Sequence, residues 1–241
     1  MTGALSAVTG PTAVVAGGAG SIGRVLCGDL ADRGYRVVML DAAADTGKVA
    51  RDVGAQGRRC DLTDHAAIRE SVSDLARVDV LVNSVGSWPR AAVDDFDPAQ
   101  WDRLIQLNLS APMYAIAALL PQLRAARGSV VNLSSTTALR GAPTMIAYSA
   151  AKAGLLGLTR SLAVALGPDG VRVNCVLPGV LMTESNADFP AGPLQRARSE
   201  RALGRDGHPG DISGAVLFFA TRGAEFVTGQ SLIVDGGQLF G

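Results

Sequence analysis

The chain has 241 residues, and its 22 basic and 22 acidic side chains give a formal net charge of zero. This balance leaves no electrostatic footprint for nucleic acid or for an anionic membrane, so neither is an expected partner. The three cysteines, Cys27, Cys60 and Cys175, lie far apart without metal-ligand spacing, which argues against a disulfide framework and indicates buried thiols. The length favours one α/β domain over residues 1–241.

The N-terminal segment lacks the pattern of a secretory signal. In MTGALSAVTGPTAVVAGG no basic residue precedes the apolar run, and we expect no other stretch to reach the roughly 20 uncharged residues of a membrane span. We therefore expect a cytoplasmic protein without a membrane anchor.

Short apolar runs rich in valine and leucine recur along the chain. They are apolar on both faces and are separated by segments of helical period, which is typical of buried parallel strands in βαβ units. The pattern predicts an α/β fold with a doubly wound parallel sheet. The runs are 12–16, 35–40, 78–83, 128–134, 171–177 and 231–235, and a further short strand is expected before Asp61.

Four longer segments of helical period lie between these strands, at 22–33, 64–76, about 99–125 and 147–166. Thr63 is predicted to cap the second helix as half of a capping box. Few residues remain between Asp41 and Asp61 for a helix and a strand, so this crossover is expected to be short. Segment 184–208 has no sheet character, and a loop of that length in a compact domain is typical of a lid over a functional site.

A glycine-rich turn follows the first strand. In AGGAGSIG (16–23), Gly18, Gly20 and Gly23 satisfy the G-x-G-x-x-G fingerprint, in which glycines allow pyrophosphate to approach a helix N-terminus. A glycine turn that merely joins a strand to a helix is the alternative. The position favours dinucleotide binding, because a second strand ends about twenty residues later in Asp41.

Asp41 bears on the choice between NAD and NADP. An acid at this position accepts hydrogen bonds from both adenosine ribose hydroxyls and repels a 2′-phosphate. The next three residues are alanines, so no arginine follows that could hold such a phosphate. NAD is therefore favoured over NADP, although a solvated acid at a strand end is also consistent with the pattern. Asp61 is placed either to meet the adenine amino group or to cap a helix.

The segment YSAAK (148–152) contains one of only two lysines in the chain, Lys48 and Lys152. Tyr148 and Lys152 are four residues apart and so share one face of a helix. An ammonium group beside a phenol lowers the tyrosine pKa from its usual value of about 10 and would make Tyr148 a general acid/base. An ordinary cation beside a tyrosine ring is the alternative interpretation.

At this point the chain resembles the short-chain dehydrogenase/reductase family over nearly its whole length. Gly17, Ser21, Ile22 and Gly23 fall on the cofactor turn TGxxxGxG of that family. Ala16 replaces the threonine, and Ser21 replaces the middle glycine, for which Gly20 is expected to supply the flexibility. The resemblance implies a Rossmann-type sheet of about seven strands in the order 3-2-1-4-5-6-7, with helices on both faces.

Further motifs of the family follow in order. Asn83 and Gly86 fall on its NNAG segment, Asn108 on its relay asparagine, Ser135 on its catalytic serine, and Pro178-Gly179 with Thr183 on the segment along the nicotinamide. HPGDISGAVLFFAT and VTGQSLIVDGG are similar to its closing helix and strand. The cofactor-binding residues implied are Gly17, Gly20, Ser21, Ile22, Gly23, Asp41, Asp61, Leu62, Asn83, Gly86, Lys152, Pro178, Gly179, Val180 and Thr183.

The resemblance assigns catalytic roles to four residues. Tyr148 exchanges a proton with the substrate oxygen, Lys152 lowers the tyrosine pKa and hydrogen-bonds the nicotinamide ribose, and Ser135 donates to the substrate oxygen. Asn108 ties Lys152 to bulk water through an ordered water molecule, and no metal is required. Lysine suits this site better than arginine, because it presents a compact charge with three donors.

The reaction expected is oxidation of a secondary alcohol, on a small or cyclic hydroxy compound. The expected substrate pocket comprises Trp88, Thr137, Met145 and Phe189, and the last of these lies in the predicted lid. Arg90 and Arg140 either hold a substrate carboxylate or are solvated surface residues.

Three other functions are compatible with parts of the same sequence pattern. An NADPH-dependent ketoreductase, including one acting on carrier-protein substrates, would need a basic residue near the turn, for which Arg24 is the candidate. A non-catalytic dinucleotide sensor would be expected to have a damaged Tyr148/Lys152 pair, and an epimerase would need a further substrate domain.

The family usually forms homotetramers, so we expect a homotetramer, with a dimer as the alternative. The arginine and alanine bias is typical of a GC-rich bacterium, in which secondary metabolism and catabolism are both open.

Overall fold

The computed structural model describes residues 10–184 and 191–240 and contains a parallel sheet of seven strands in the order β3-β2-β1-β4-β5-β6-β7. The predicted fold class and strand order are confirmed. The strands are β1 Thr12–Ala16, β2 Arg36–Asp41, β3 Gln56–Arg59, β4 Val80–Asn83, β5 Ser129–Leu133, β6 Arg172–Pro178 and β7 Ser231–Val234.

Strand position in the sheet explains strand composition. Every residue of β1, β4 and β5 is buried, because helices cover both faces of the central strands. The edge strand β3 reads QGRR and is only partly buried, and the edge strand β7 exposes Ser231 and Leu232. The short crossover expected between Asp41 and Asp61 is confirmed, since its helix has 7 residues and β3 has 4.

The longer helices of the described chain form two layers. Side chains of β1 alternate between two cores: Val14 lies in one with Leu119 of the long fifth helix, and Val15 lies in the other with Leu26 of the first. The helices are α1 Ser21–Asp32, α2 Thr46–Asp52, α3 His65–Ser71, α4 Pro98–Ile105, α5 Ala111–Ala126, α6 Thr137–Arg140, α7 Ile146–Leu166, α8 Ala191–Glu200 and α9 Ser213–Ala220.

The start and the end of α3 differ from the prediction. The helix begins at His65 and ends at Ser71, and its N-cap is Asp64, whose carboxylate accepts from the N–H groups of Ala66 (2.8 Å) and Ala67 (3.1 Å). Thr63 instead donates its own N–H and hydroxyl to the preceding Asp61. An aspartate one residue later is the stronger cap, because its oxygen reaches two backbone N–H groups at once.

The expectation that no further stretch would reach the length of a membrane span was wrong. Helices α4 and α5 form one continuous helix, Pro98–Ala126, which is long and apolar enough to cross a membrane by length and composition alone. Its apolar residues pack in the core of the sheet, where Ile116, Leu119 and Leu123 are fully buried. Burial of that kind is what a core helix shows.

A π-helical turn, Gln106–Ser110, joins α4 to α5 and has Asn108 at its centre. The predicted helix 99–125 is therefore present but is interrupted. π-helical turns are rare in proteins, and those that do occur are often found at functional sites.

Segment 184–208, predicted as a lid loop, contains helix α8 between Ala191 and Glu200. After the helix the chain returns to the sheet side, where Leu181 and Gly207 form an isolated parallel bridge. Phe189 lies outside the described residues. The three cysteines are buried free thiols, as predicted, and burial raises the pKa of the Cys27 thiol to about 12.

Candidate active site

A cleft of about 530 Å³ opens at the carboxyl ends of the central strands. It lies where the strand order reverses between β1 and β4, which is where open α/β sheets bind their ligands. Residues from the ends of β4, β5 and β6 and from helices α1, α6, α7 and α8 line it. The cleft therefore brings Ile22 and the segment that follows β6 together with Ser135, Tyr148 and Lys152.

Tyr148 and Lys152 stand on the first two turns of α7, as their spacing predicts. The Lys152 ammonium lies 5.7 Å from the centroid of the Tyr148 ring. It is buried and donates hydrogen bonds to the carbonyls of Val85 (3.1 Å) and Leu133 (2.9 Å), which follow β4 and end β5. These two bonds fix the charge at the carboxyl ends of adjacent strands.

The expected lowering of the tyrosine pKa is not what this structure shows. Burial raises the pKa of Tyr148 to about 12, and a hydrogen bond with Ser135 offsets only part of that rise. Burial also lowers the pKa of Lys152 to about 8. The reason is geometric, because the ammonium group is directed at two backbone carbonyls and both groups have lost hydrating water.

Ser135 follows β5 and faces the cleft beside Tyr148. Its oxygen accepts two hydrogen bonds from Thr137, one from the backbone N–H (3.2 Å) and one from the hydroxyl (3.1 Å). A serine hydroxyl has two acceptor lone pairs and one proton, so the proton of Ser135 is left to donate elsewhere. Thr137, predicted only as a pocket residue, therefore orients the donor of its neighbour.

Asn108 holds the loop that follows β4. Its amide nitrogen donates to the carbonyls of Ser87 (2.9 Å) and Leu104 (3.0 Å), and its oxygen accepts the N–H of Ser87 (3.3 Å). A Cβ on Gly86 would lie 3.0 Å from the Asn108 oxygen and 3.4 Å from the Lys152 nitrogen. Gly86 thus leaves room for both side chains, and the water relay through Asn108 stays a prediction.

Three glycines of the first turn are fixed by sterics. Gly17 has φ +77°, and a Cβ there would lie 2.6 Å from the nitrogen of Val85. A Cβ on Gly23 would collide with the carbonyl oxygen of Gly17, and one on Gly18 would collide with Met39. Gly20 is the exception, because its φ of −67° is open to any residue and its Cβ would have space. The expectation that Gly20 supplies missing flexibility was therefore wrong.

Gly20 is nevertheless the N-cap of α1, and it offers no side chain to the free N–H groups of that helix. Ser21 and Ile22 open the same helix, and Ile22 lines the cleft. Free N–H groups at a helix start form a site for an anion such as pyrophosphate.

The Asp41 carboxylate folds back on the glycine turn. One oxygen accepts the N–H of Ala19 (3.0 Å) and the other that of Ala43 (3.0 Å), which leaves further lone pairs on each oxygen. Arg59 pairs with Asp41 in the β2–β3 register, and its Nε donates to the carbonyl of Ala42 (3.2 Å). Sequence reasoning missed this arginine, because the contact arises from strand pairing.

Arg24, the basic residue considered for NADP, forms a salt bridge of 2.7 Å with Glu184. The pair joins the first turn of α1 to the segment that follows β6.

Several predicted cofactor residues do not line the cleft. Asn83 is buried in the sheet, where its amide donates to Asn132 (2.8 Å), which in turn donates to Thr159 (2.9 Å). Leu62 belongs to the core, and Asp61 is exposed with Thr63 as its partner. The Thr63 bonds lower the pKa of Asp61.

The segment after β6 does line the cleft, with Pro178, Gly179, Val180 and Thr183. The Thr183 hydroxyl and the Ser84 hydroxyl are buried without a hydrogen-bond partner among the described residues. Two hydroxyls without hydrogen-bond partners, together with the glycine turn, fit a nicotinamide dinucleotide, because its amide and ribose groups offer hydrogen-bond partners.

Arg201 is a second residue that the sequence did not single out. It is 7% exposed, and its guanidinium donates to the carbonyl of Val180 and to that of Arg205 (3.1 Å). The cation thereby supports the loop along the predicted nicotinamide position.

The far end of the cleft is mostly apolar. Trp88 packs edge-on against Tyr148, with ring centroids 6.0 Å apart, and Met145 and Thr137 also line the cleft. Arg140 also lines the cleft, whereas Arg90 is not among its lining residues. Helix α8 adds Arg196, Ala197 and Glu200, so the segment predicted as a lid does contribute to the site.

Comparison with known proteins identifies similar chains over almost the whole length. The profile of a family described as enoyl-(acyl carrier protein) reductase matches residues 15–238. Trans-4-hydroxycyclohexanecarboxylate dehydrogenase of Sinomonas cyclohexanicum is 36% identical over 95% of this chain and 93% of its own. D-xylose 1-dehydrogenase of Caulobacter vibrioides is 33% identical over 95% of each chain. A solved short chain dehydrogenase/reductase family protein is 35% identical over 95% of this chain and 97% of its own, with a TM-score of 0.87.

Proposed function

The chain belongs to the short-chain dehydrogenase/reductase family and acts on CH–OH groups, and we propose that it is an NAD-dependent dehydrogenase of a small cyclic secondary alcohol. One observation carries the proposal: Tyr148, Ser135 and Lys152 meet in a single cleft whose remaining wall is mostly apolar. A proton acceptor, an oxygen-directed donor and a buried cation are the groups that alcohol oxidation needs.

Ser135, Tyr148 and Lys152 have different roles in the proposed oxidation. Ser135, with its acceptor sites occupied by Thr137, donates its proton to the substrate oxygen and holds it beside Tyr148. The Tyr148 oxygen takes the hydroxyl proton while the carbon gives up a hydride, and a bound nicotinamide supplies the hydride acceptor. We infer that the charge of Lys152, 5.7 Å from the centroid of the Tyr148 ring, opposes the rise in the Tyr148 pKa that burial causes.

The preference for NAD rests on Asp41. Its carboxylate is fixed at the glycine turn by Ala19 and Ala43, with lone pairs left for ribose hydroxyls. A negative charge there opposes a 2′-phosphate. The names of two relatives are compatible with oxidation of an alcohol, since both proteins are named as dehydrogenases.

The proposal of a small cyclic substrate rests on the shape of the cleft. Its volume of about 530 Å³ serves both the nicotinamide end of the cofactor and the substrate. Trp88 and Met145 present flat and apolar surface beside Tyr148, which suits one ring. Both relatives are named for ring-forming hydroxy compounds.

An NADPH-dependent ketoreductase is the second candidate, and Arg59 is the observation that favours it. Its guanidinium lies beside Ala42, next to the position where a 2′-phosphate would project from the ribose near Asp41. The matching family description also names a reductase.

A homotetramer, with a dimer as the fallback, completes the proposal. Large apolar side chains stand exposed on the segments that would form such contacts: Val164 of α7 is 81% exposed and Leu232 of the edge strand β7 is 41% exposed. An unpaired edge strand with exposed apolar residues favours pairing with another copy. We keep the expectation of a cytoplasmic enzyme that works without metal.

Turnover tests the proposed function. Purified enzyme is assayed with NAD⁺ and NADP⁺ on cyclohexanol, trans-4-hydroxycyclohexanecarboxylate and D-xylose, with Tyr148→Phe as the matched variant. We expect NAD⁺ reduction with at least one ring alcohol and its loss in the variant. Cofactor binding without turnover on any of them would favour the sensor, and faster turnover with NADP⁺ would favour the ketoreductase.

A further inference from the structure

Two arginines from separate elements line the substrate end of the cleft. Arg140 ends helix α6, five residues after Ser135, and Arg196 lies in the middle of α8. Arg196 and Glu200 are four residues apart on one face of α8, and Ala197 also lines the cleft. The wall at this end therefore carries two guanidinium groups and one carboxylate.

Neither guanidinium has a hydrogen-bond or ion-pair partner within residues 10–184 and 191–240. Other arginines near the site are engaged: Arg24 pairs with Glu184, and Arg205 with Asp211 at 2.7 Å. The nearby acid is engaged as well, since the Glu200 carboxylate accepts from the Gln238 amide at 2.8 Å. Because two guanidinium groups stand against one carboxylate, the net charge at this end of the cleft is positive.

The wall between these arginines and Tyr148 is apolar. Trp88, Pro143, Met145 and Leu181 line it, and none of these side chains offers a strong hydrogen-bonding group except the indole N–H. A sugar phosphate would leave several ring hydroxyls against that wall without partners, at a cost for each. A hydrocarbon ring with an anionic group on its far side would instead match both parts of the cleft.

We propose that the substrate is a hydroxylated cyclic carboxylate whose carboxylate is bound by Arg140 and Arg196. This inference rests on the proposed function. The ring lies on the apolar wall, and the hydroxyl at the other side of the ring meets Tyr148 and Ser135. Guanidinium groups suit this role, because their planar donors match the two oxygens of a carboxylate.

The test is a binding measurement that needs no turnover. Cyclohexanecarboxylate, which lacks the reacting hydroxyl, and its uncharged analogue cyclohexanecarboxamide are titrated by calorimetry into the free enzyme and into the enzyme with NADH. We expect the carboxylate to bind about tenfold or more tightly than the carboxamide, as charge-assisted bonds do. The difference should shrink as salt is raised.

Three variants locate the effect. Arg140→Gln and Arg196→Gln should each weaken carboxylate binding by about tenfold and leave carboxamide binding unchanged. Arg198→Gln is the matched control, because it removes the same charge from α8 at a residue that does not line the cleft. Equal affinity for the two probes, or equal losses in the control, would overturn the assignment.

Failure of this assignment can be told apart from failure of the proposed function. Oxidation of cyclohexanol by NAD⁺, lost in Tyr148→Phe, supports the dehydrogenase whatever the charge preference is. Cyclohexanol turnover combined with equal binding of the two probes would leave the dehydrogenase in place and remove the carboxylate site. Preferred carboxylate binding that depends on both arginines, without turnover of any alcohol, would keep the site and remove the proposed reaction.

Discussion

Thr137 donates two hydrogen bonds to the hydroxyl oxygen of Ser135, from its backbone N–H at 3.2 Å and from its own hydroxyl at 3.1 Å. Both acceptor positions of Ser135 are thereby occupied, and its proton is directed toward a third group. Thr137 lies only two positions after Ser135 in the chain. The local turn that begins α6 therefore fixes the orientation of the Ser135 hydroxyl.

Replacing Thr137 by valine removes the hydroxyl bond and keeps the side-chain size. We expect kcat to fall by about fivefold, in line with about 1 kcal/mol for one hydrogen bond, with little change in NADH affinity. Thr137→Ser, which keeps the hydroxyl, should restore most of the rate. Equal rates in the valine and serine variants would show that the bond does not position Ser135.

The pH dependence of the reaction follows from the raised pKa of Tyr148, about 12. Oxidation needs the deprotonated phenol, whose fraction grows as pH rises, so the oxidation rate should increase from pH 6 to 8. Above about pH 8 Lys152 loses its proton and the rise should flatten, because its charge no longer favours the phenolate. Reduction uses the protonated phenol and should not share the rise. An oxidation rate that falls between pH 6 and 8 would contradict this assignment.

Lys152 also links stability to pH. Its pKa is lowered from 10.5 to about 8, so between these values the unfolded chain binds a proton that the folded chain has released. Stability must then rise with pH in that window. The free energy of unfolding should gain about 1.4 kcal/mol per pH unit from pH 8 to 10, relative to Lys152→Met. Urea unfolding of both proteins measures this, and a pH-independent difference would show that Lys152 keeps its proton in the folded state throughout this range.

The glycine turn allows a paired test of sterics. Gly23→Ala forces a Cβ into the carbonyl of Gly17, and we expect overpacking of about 2 kcal/mol and a fall in Tm of about 5 °C. Gly20→Ala places its Cβ in open space and should leave Tm within about 1 °C, while it weakens NADH binding by crowding the helix N-terminus. A large fall in Tm for Gly20→Ala would show that the turn needs a glycine there for its fold.

The cofactor preference can be dissected with two variants. Asp41→Ala removes the carboxylate that favours ribose hydroxyls and should weaken NADH binding by about tenfold while it improves NADPH binding. Arg59→Ala in the same background should cancel the gain for NADPH, because Arg59 is the cation held beside Ala42. If the gain persists without Arg59, another residue receives the phosphate.

The fold was predictable from sequence because its signal is local and repeated. Apolar strands such as TAVVA and VLVN, each followed by a glycine-containing turn or a helix, define the order of a parallel sheet. Tyr148 and Lys152 were predictable for the same reason, since helical spacing alone places them together. The start of α3 was missed because Thr63 and Asp64 are adjacent candidates, and the choice depends on the reach of one carboxylate.

The rest of the site depends on contacts between distant segments. Arg59 meets Ala42 through strand register, across 17 residues, and Arg201 reaches Val180 across 21. The raised pKa of Tyr148 reflects burial by several elements, which no spacing encodes. Such features follow from packing, so sequence patterns could name Tyr148 and Lys152 without describing their environment.

Fluorescence titration of the purified enzyme with NADH and with NADPH tests the central claim most directly. The account predicts that NADH binds at least tenfold more tightly, because the Asp41 carboxylate accepts the ribose hydroxyls and repels a 2′-phosphate. Tighter binding of NADPH, or binding of neither dinucleotide, would contradict it.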